Sequence, residues 1–386
     1  MVRHWSINGR FLTQRLTGVQ RYAREIVCAL DEAVDSGHPL ARDLSIELLL
    51  PGDARDDLHL KAIRSRRIGV ATGHIWEQFV LPRRLKGGLL SLGNVGPIAA
   101  ARQIVCMHDT TALDCPASYS RRFRLSQRVL QPVLSRLAAQ VTTVSSHSAE
   151  RLVDHRLCRG QDLAVAPNGH EHVFRWRPVH SPATRAAAGP GTIVLIGTPA
   201  PHKNVSLLLG AASRLASKGF RLAVVGESDP RVFRGCSDLD GGNVIRLGRI
   251  SDGELAALLK DSHCLAFPSL FEGFGLPVLE AMALGCPVVA SDCAGLPALC
   301  GEAALYASPT RAEAWLDAFV RLRDDPVLRE RMRRQGPARA GLFSWSASAR
   351  IYLQAMAKAD GLLNVPAVPA SAQLSLDGRG SRQPCS

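Results

Sequence analysis

Two glutamates lie in a glycine-containing segment whose residue types suit the binding of an anion. Glu272 and Glu280 are separated by seven residues, and Gly273 and Gly275 lie between them. Glycine lets the backbone approach a ligand closely, and carboxylates accept hydrogen bonds from hydroxyl groups such as those of sugars. The segment therefore predicts a phosphate site with a carboxylate on each side. Taken alone, the spacing is more typical of two solvated glutamates beside an ordinary turn.

A helix has to position these groups. Pro277 suits the first turn of a helix, where a missing N–H costs nothing, and Gly285 suits its C-terminal exit, so we predict a helix over residues 276–284. The N–H groups and the positive dipole end at Leu276 to Leu279 would favour a phosphate. Glu272 would precede this helix and Glu280 would lie within it.

A second phosphate contact is predicted where an apolar run ends at Gly197. Thr198 and Lys203 follow in a strand-to-helix loop, and the lysine ammonium is a mobile charge suited to a diphosphate. The alternative is a surface lysine at the beginning of a helix. A phosphate held here would again meet a helix start.

The elements around these motifs predict an α/β fold with doubly wound parallel sheets. Short apolar runs rich in branched residues alternate with helical patterns, as buried parallel strands and crossover helices do. Ligands of such sheets bind beyond the carboxyl ends of the strands. The predicted strands are 46–50, 89–92, 104–107 and 141–144 in the first half and 192–197, 222–226, 244–247, 264–267 and 287–290 in the second.

The chain of 386 residues is long enough for two domains of ordinary size. A Pro/Ala/Gly-rich stretch suggests the boundary between them. We predict a first domain over 1–178, a linker over 179–191 and a second domain over 192–345. A C-terminal helix over 346–362 would return to the first domain, and a Pro/Ser/Gly-rich tail over 363–386 would be disordered.

Composition excludes several classes of protein. No run of eighteen apolar residues is present to span a bilayer and no signal peptide opens the chain, so the cytoplasm is the expected location. Residues 1–180 carry 25 Lys and Arg against 16 Asp and Glu. Basic patches at 64–67, 83–86 and 121–136 suit anionic lipid at the inner membrane or a phosphorylated substrate, with a solvated charged face as the equal alternative. Nucleic acid is not expected, because aromatic residues are scarce.

Residues 262–290 resemble, almost residue by residue, the donor-site signature of the family 4 retaining glycosyltransferases. That resemblance implies the GT-B architecture, with two Rossmann-like doubly wound domains facing a central cleft. It also implies that Glu280 accepts hydrogen bonds from the donor's ribose and that Glu272 holds the donor sugar or stabilises charge near its anomeric carbon. Phe274, Gly275 and Leu276 would complete this donor site.

Further residues follow from the same resemblance. Lys203 and the residue before it correspond to the family's diphosphate-binding cations, although His202 stands here where the family has arginine. Arg249 and Ile250 would lie near the nucleotide base, and Gly18 would contact the donor phosphates from the first domain.

A His-Asp pair follows the predicted strand 104–107. His108 and Asp109 are similar to a family segment that faces the reacting centre, and we predict both as catalytic. Residues 75–82 and 93–94 also resemble a subgroup that makes bacterial surface polysaccharide.

The predicted reaction moves a hexosyl group from a nucleoside diphosphate sugar, with GDP-mannose as the first expectation and a UDP-sugar as the second. The acceptor would be a glycan or a polyprenyl-diphosphate-linked oligosaccharide, and neither a cofactor nor a metal ion is expected. A sugar-nucleotide epimerase or hydrolase and a non-catalytic nucleotide-sugar-binding scaffold are the alternatives.

Overall fold

The computed structural model describes residues 2–197, 200–226, 242–293 and 295–362. The described chain divides into two compact units. Unit 1 contains residues 2–113, 121–169 and 344–362, and unit 2 contains residues 114–120 and most of 170–343. The predicted phosphate contact Thr198 and the predicted disordered tail over 363–386 lie outside the described residues.

Unit 1 is built on a parallel sheet of seven strands in the order β3-β2-β1-β4-β5-β6-β7. The strands are β1 (Arg3–Asn8), β2 (Leu44–Leu50), β3 (Arg64–Arg67), β4 (Gly88–Ser91), β5 (Gln103–Cys106), β6 (Gln140–Thr143) and β7 (Leu163–Val165). Its helices are α1 (Gly18–Asp35), α2 (Gly73–Ile75), α3 (Thr111–Asp114), whose last residue belongs to unit 2, α4 (Arg121–Leu137), α5 (Ser146–Asp154) and the C-terminal α14 (Trp345–Ala359).

Unit 2 is built on a parallel sheet of six strands in the order β10-β9-β8-β11-β12-β13. The strands are β8 (Gly189–Ile196), β9 (Arg221–Val225), β10 (Val244–Gly248), β11 (Ser262–Phe267), β12 (Val288–Ser291) and β13 (Ala304–Ala307). The helices are α6 (Pro182–Ala187), α7 (Val205–Leu209), α8 (Ala212–Ser217), α9 (Asp252–Asp261), α10 (Leu276–Ala283), α11 (Leu296–Cys300), α12 (Ala312–Asp324) and α13 (Pro326–Ala340).

Both sheets wind in two directions from a central strand, which confirms the predicted α/β fold class with two Rossmann-like domains. The strand order reverses between β1 and β4 in unit 1 and between β8 and β11 in unit 2. At such a switch point the loops leave the sheet on opposite faces and a crevice opens beyond the carboxyl ends of the strands. The two crevices are the places where each unit is expected to bind a ligand.

Residues 179–191, predicted as a linker, differ from that expectation. Ser181 accepts a hydrogen bond from the N–H of Thr184 and caps α6, and Pro182 occupies the first turn of that helix. Strand β8 then begins at Gly189. The proline and alanine content that suggested a linker is also what a capped helix start requires.

The hydrophobic core of each unit lies between its sheet and its helices. In unit 1, Leu134 of α4 packs with Val105, Met107 and Val141 of the sheet. In unit 2, Trp315 and Phe319 of α12 belong to the core beneath the sheet. Among the described residues, no helix is long and apolar enough to cross a membrane.

Candidate donor and acceptor sites

A lysine and a glutamate meet at the switch point of unit 2. Lys203 lies in the loop that follows β8, and Glu272 lies in the loop that follows the neighbouring strand β11. The Nζ of Lys203 is 2.7 Å from Oε1 of Glu272, and the side chains are only 24% and 11% exposed. The two residues are 69 positions apart in sequence, and the adjacency of their strands brings them together.

Backbone contacts hold the two loops in register. The N–H of Leu270 donates to the carbonyl of His202 at 2.7 Å. Asn204 adopts a left-handed conformation with φ 52°, and its amide donates to the carbonyls of Pro268 and Pro309. Asparagine tolerates this conformation better than most residues. Lys203 is therefore presented by a loop whose shape is fixed on both sides.

The predicted helix after Glu272 is confirmed, since α10 spans Leu276–Ala283. Gly275 caps it with φ +100°, and a Cβ at this position would lie 2.8 Å from a methyl carbon of Leu296. The predicted set of N–H groups needs a correction: those of Val278 and Leu279 donate to the carbonyl of Gly275 at 2.9 and 3.2 Å. Since proline has no N–H, the donors that remain at this helix start are those of Gly275 and Leu276.

Glu280 lies within α10 and is 6% exposed. Its Oε1 is 2.9 Å from Nε2 of the fully buried His172, whose ring contacts the edge of Trp176. Sequence reasoning missed His172, because a histidine 108 residues before its partner gives no local signal. This contact orients the Glu280 carboxylate.

Phe274 and His202 help to line the same part of unit 2. Phe274 is 9% exposed and packs edge-to-face on Phe343. His202 is half-buried and its ring stacks on Tyr119, with the ring planes 7° apart, while its backbone N–H donates to Oγ of Ser118. The ring at the family's arginine position is thus held by aromatic packing.

Arg249 and Ile250 follow β10, the outermost strand of the unit 2 sheet. Arg249 is exposed and Ile250 is half-buried. The loop ends in a capping box, in which Ser251 and Glu254 exchange hydrogen bonds at the start of α9. Two strands separate β10 from β11, so contact of these residues with a base stays a prediction.

Gly18 is the exposed first residue of α1 in unit 1. A Cβ built on it would meet no atom within 4 Å, so the surrounding fold leaves room beside this backbone. That space is compatible with the predicted phosphate contact.

His108 follows β5 in unit 1, and its ring is buried to 5% exposure. Its Nε2 is 2.8 Å from the carbonyl oxygen of Leu92, and the ring packs edge-to-face on Tyr22. Burial lowers the pKa of His108, but the neighbouring Cys106 and the Leu92 carbonyl outweigh burial and raise the pKa overall. Such an environment favours a positioning role, and direct contact with a sugar stays a prediction.

Asp109 has a local partner. Its Oδ1 accepts a hydrogen bond from the N–H of Thr111 at 2.9 Å, at the start of α3. This is the role that a short carboxylate commonly has before a helix, and it needs no substrate.

Sequence reasoning missed a cavity of about 790 Å³ at the switch point of unit 1. Arg10 enters it after β1, and Asn94 enters it after β4. Amide side chains and two phenylalanines make up much of the rest, including Gln14, Gln20, Gln78, Gln127, Phe79 and Phe123. Amides that donate and accept hydrogen bonds, beside aromatic rings, match the mixed polar and apolar surface of a sugar.

A buried carboxylate fixes Arg10 at this cavity. Glu77 is 1% exposed, and its Oε1 lies 3.0 Å from Nε of Arg10 and accepts from the Asn8 amide at 2.8 Å. His74 contacts the other oxygen at 3.3 Å. Burial raises the pKa of Glu77, but the hydrogen bonds from His74, Arg10 and Asn8 and the charge of Arg10 lower it overall.

The described chain thus has two doubly wound α/β units, and one of them has a cation and carboxylates at its switch point. Residues 190–325 match the family model described as "Glycosyl transferases group 1". This part of unit 2 is a domain of that family, and the chain is a glycosyltransferase, as the sequence predicted.

Three relatives agree with this assignment. The chain is 29% identical to O-antigen chain mannosyltransferase B of Escherichia coli, with 64% of this chain and 68% of the relative covered. It is 31% identical to MMP alpha-(1->4)-mannosyltransferase of Mycolicibacterium hassiacum, with 59% and 57% covered. It is 32% identical to D-inositol 3-phosphate glycosyltransferase of Pseudarthrobacter chlorophenolicus, with 61% and 60% covered. The matches thus span about three fifths of the last two relatives.

Solved structures share the fold. Sucrose-phosphate synthase from Thermosynechococcus elongatus superposes with a TM-score of 0.67 at 20% identity, covering 92% of this chain and all of that structure. The Anabaena protein HepE, solved in complex with UDP and glucose, gives 0.66 at 17% identity with 92% of this chain and all of that structure covered. At these identities the likeness supports the fold alone.

Proposed function

We propose that this glycosyltransferase is a retaining hexosyltransferase that acts in the synthesis of a cell-surface polysaccharide. The donor is a nucleoside diphosphate sugar, with GDP-mannose first and a UDP-sugar second. The acceptor is a glycan or a polyprenyl-diphosphate-linked oligosaccharide presented at an anionic membrane surface. The proposal requires neither a metal ion nor a cofactor.

The Lys203–Glu272 pair carries this proposal. An ammonium has three donors, and Glu272 engages one of them, so the same group can also bind a phosphate oxygen. The Gly275 and Leu276 N–H groups add donors at the positive end of a helix. Glu280, oriented by His172, is an acceptor for hydroxyl groups. A cation with two carboxylates at one switch point suits a phosphorylated sugar.

In the proposed reaction the bond between the anomeric carbon and the diphosphate oxygen breaks, and the acceptor oxygen bonds to the same face of that carbon. The acceptor proton passes to the departing diphosphate. Lys203 stabilises the negative charge that develops on the diphosphate, and Glu272 stabilises the positive charge that develops on the sugar ring.

The names of the relatives support the proposed donor, and the side chains of the unit 1 cavity support the proposed acceptor. Two of the relatives are named as mannosyltransferases, and one of these is an O-antigen chain enzyme, which favours mannose and surface polysaccharide. The UDP in the HepE structure keeps a UDP-sugar as the second choice. For the acceptor, the amide and phenylalanine side chains of the unit 1 cavity support a carbohydrate.

The test is the thermal stabilisation of the purified protein by GDP, UDP, dTDP and ADP, followed by assay of the matching sugar nucleotides. A ligand at 100 times its dissociation constant adds about 2.7 kcal/mol to the free energy of unfolding. We expect a clear preference for GDP, loss of most of the shift in Glu280→Ala, and no such loss in Glu330→Ala, an exposed helical glutamate of α13.

The result that overturns the proposal is no stabilisation by any nucleotide, which would favour a scaffold. Release of free sugar or an epimer at the same rate with and without a mannan or lipid-linked acceptor would favour the hydrolase or epimerase instead.

A further inference from the structure

One helix of unit 1 presents arginines and apolar side chains together on its exposed face. Helix α4 has the sequence Arg-Arg-Phe-Arg-Leu-Ser-Gln-Arg-Val-Leu-Gln-Pro-Val-Leu-Ser-Arg-Leu and carries no Asp or Glu. We propose that this outward face of α4 docks on an anionic phospholipid surface. This inference rests on the proposed function, because a lipid-linked acceptor would bring the enzyme to a membrane surface.

The orientation of α4 decides which side chains face outward. Gln127, Gln131 and Leu134 recur at spacings of four and three, are 6%, 4% and 0% exposed, and form the buried side of the helix. At 100° per residue, Leu125 and Val129 fall on the opposite side. They are 65% and 57% exposed, so two branched apolar side chains face outward.

Four arginines surround these two side chains. Arg121, Arg122, Arg128 and Arg136 are all exposed and project from the same half of the helix. Cations around exposed apolar side chains are the pattern of helices that lie in a membrane interface, with the apolar groups below the headgroups and the charges among them. A purely solvated helix would not be expected to expose Leu125 and Val129 together.

Helix α4 also borders the unit 1 cavity, on the side opposite to Leu125. Phe123, Ser126, Gln127 and Leu130 of the helix line that cavity. Phe79 and Ile98, also at the cavity, are 60% and 43% exposed. The proposed membrane contact and the cavity thus belong to the same helix.

Helix α13 of unit 2 provides a control for arginine content alone. Helix α13 of unit 2 exposes Arg331, Arg333 and Arg334, a similar density of arginine. It also carries Glu330, 3.9 Å from Arg334. Val327 is the one large hydrophobic residue that it exposes. Anionic lipid is thus predicted to distinguish α4 from α13.

The probe is vesicles of phosphatidylglycerol and phosphatidylcholine, compared with phosphatidylcholine alone, in co-sedimentation with the full chain. Each basic residue near such a surface contributes about 1 kcal/mol, or roughly fivefold in affinity. Replacing Arg121, Arg122 and Arg128 by Gln should therefore weaken binding on the order of a hundredfold. The matched triple replacement of Arg331, Arg333 and Arg334 by Gln should leave binding within about twofold.

A second variant tests the apolar part. Replacing Leu125 and Val129 by Gln should weaken vesicle binding. The binding that remains should be lost in 0.5 M salt, since exposed charges are screened at that ionic strength. Circular dichroism and the GDP-induced stabilisation should match those of the wild type in every variant. Those two readouts report fold and donor site, so a failure of the donor proposal would be visible separately.

Three outcomes would overturn the inference: no binding to anionic vesicles at low salt, equal losses in the α4 and α13 triple variants, or a concentration-dependent dimer that the α4 substitutions abolish. The last result would assign this face to a second copy of the chain.

Discussion

The two units share one topology and differ in the chemistry at its switch point. In unit 2, the loops after β8 and β11 bring an ammonium and a carboxylate to 2.7 Å. In unit 1, the loops after β1 and β4 contribute Arg10 and Asn94 to a cavity of amides and aromatic rings. The carboxylate that contacts Arg10, Glu77, is itself buried. Unit 2 therefore has a partly exposed ion pair at its switch point, whereas the unit 1 carboxylate is buried and supports Arg10.

This difference suits the two reactants of the proposed reaction. A diphosphate needs positive charge and helix N–H groups, and developing charge on a sugar needs a carboxylate. An acceptor sugar needs hydrogen bonds and apolar contact without strong charge. If the division is correct, substitutions in unit 2 should affect donor chemistry, and substitutions in unit 1 should affect stability or acceptor use.

The largest effect should come from breaking the Lys203–Glu272 pair. Glu272→Gln keeps the size of the side chain but removes the charge proposed to stabilise the transition state. We expect kcat for sugar transfer to fall by 10²–10³-fold, the range for loss of one preorganised electrostatic group. Initial rates with a saturating donor would measure it.

The control for Glu272→Gln is GDP binding. The nucleotide-induced stabilisation should persist, because Lys203 and the α10 N–H groups are retained. If Glu272→Gln has the kcat of the wild type, Glu272 does not stabilise the transition state. The proposed chemical difference between the two switch points would then be smaller.

In unit 1, Glu77→Gln should cost stability rather than chemistry. Loss of a buried charge leaves Arg10 without its carboxylate, and breaking such a pair typically costs about 3 kcal/mol. Chemical denaturation at pH 7 would measure the loss in the free energy of unfolding.

The difference in the free energy of unfolding between wild type and Glu77→Gln should become smaller as the pH falls. The folded pKa of Glu77 is lowered, so its stabilisation is fully present above the unfolded value of about 4.3 and is lost as pH falls through the folded pKa. Wild type and Glu77→Gln should therefore converge in stability in acid. A gap that stays constant from pH 7 to pH 3 would contradict the assigned ion pair.

Gly275→Ala should lower stability by less than Glu77→Gln. A second glycine, Gly219, separates the effect of backbone strain from that of side-chain contact. Gly275 and Gly219 both have positive φ, +100° and +81°, so alanine is strained at either position. Only at Gly275 would the new Cβ approach Leu296, at 2.8 Å, whereas Gly219 has no atom within 4 Å. We expect about 1 kcal/mol for Gly219→Ala and about 2 kcal/mol for Gly275→Ala.

Thermal denaturation would compare these two variants, and GDP affinity should fall in Gly275→Ala alone. Equal GDP affinity in both would mean that the start of α10 does not bind the diphosphate.

The sequence predicts best those structural features that depend on residues close together in the chain. The helix predicted over 276–284 is observed over 276–283, because proline and glycine act on their own turns. Residues 205–217 instead form two short helices, α7 and α8, on either side of Gly210, where helix propensity is low.

Strands at the edge and start of the sheet gave weaker signals. Strand β3 has the sequence Arg-Ser-Arg-Arg, which was interpreted only as a basic patch, because an edge strand can be charged where a central one cannot. Strand β1 begins with polar residues and was also missed.

Partners distant in sequence could not be predicted at all. His172 contacts Glu280 across 108 residues, and the side chains that line the unit 1 cavity come from four separate segments of chain. Neither arrangement has a local pattern, since chain topology alone brings these residues together. Lys203 and Glu272 were both selected from sequence, but only the adjacency of β8 and β11 makes them a pair.

The smallest expected effect tests unit 1 as the acceptor side. Phe79 is 60% exposed at the cavity, so Phe79→Ala should change the free energy of unfolding by less than about 0.5 kcal/mol. If its ring stacks on the acceptor, the KM for acceptor should rise about tenfold, which corresponds to about 1.4 kcal/mol of lost contact. The KM for donor should not change, because the proposed donor groups belong to unit 2. A rise in donor KM with an unchanged acceptor KM would reverse the assignment of the two switch points, and bisubstrate kinetics distinguishes these results.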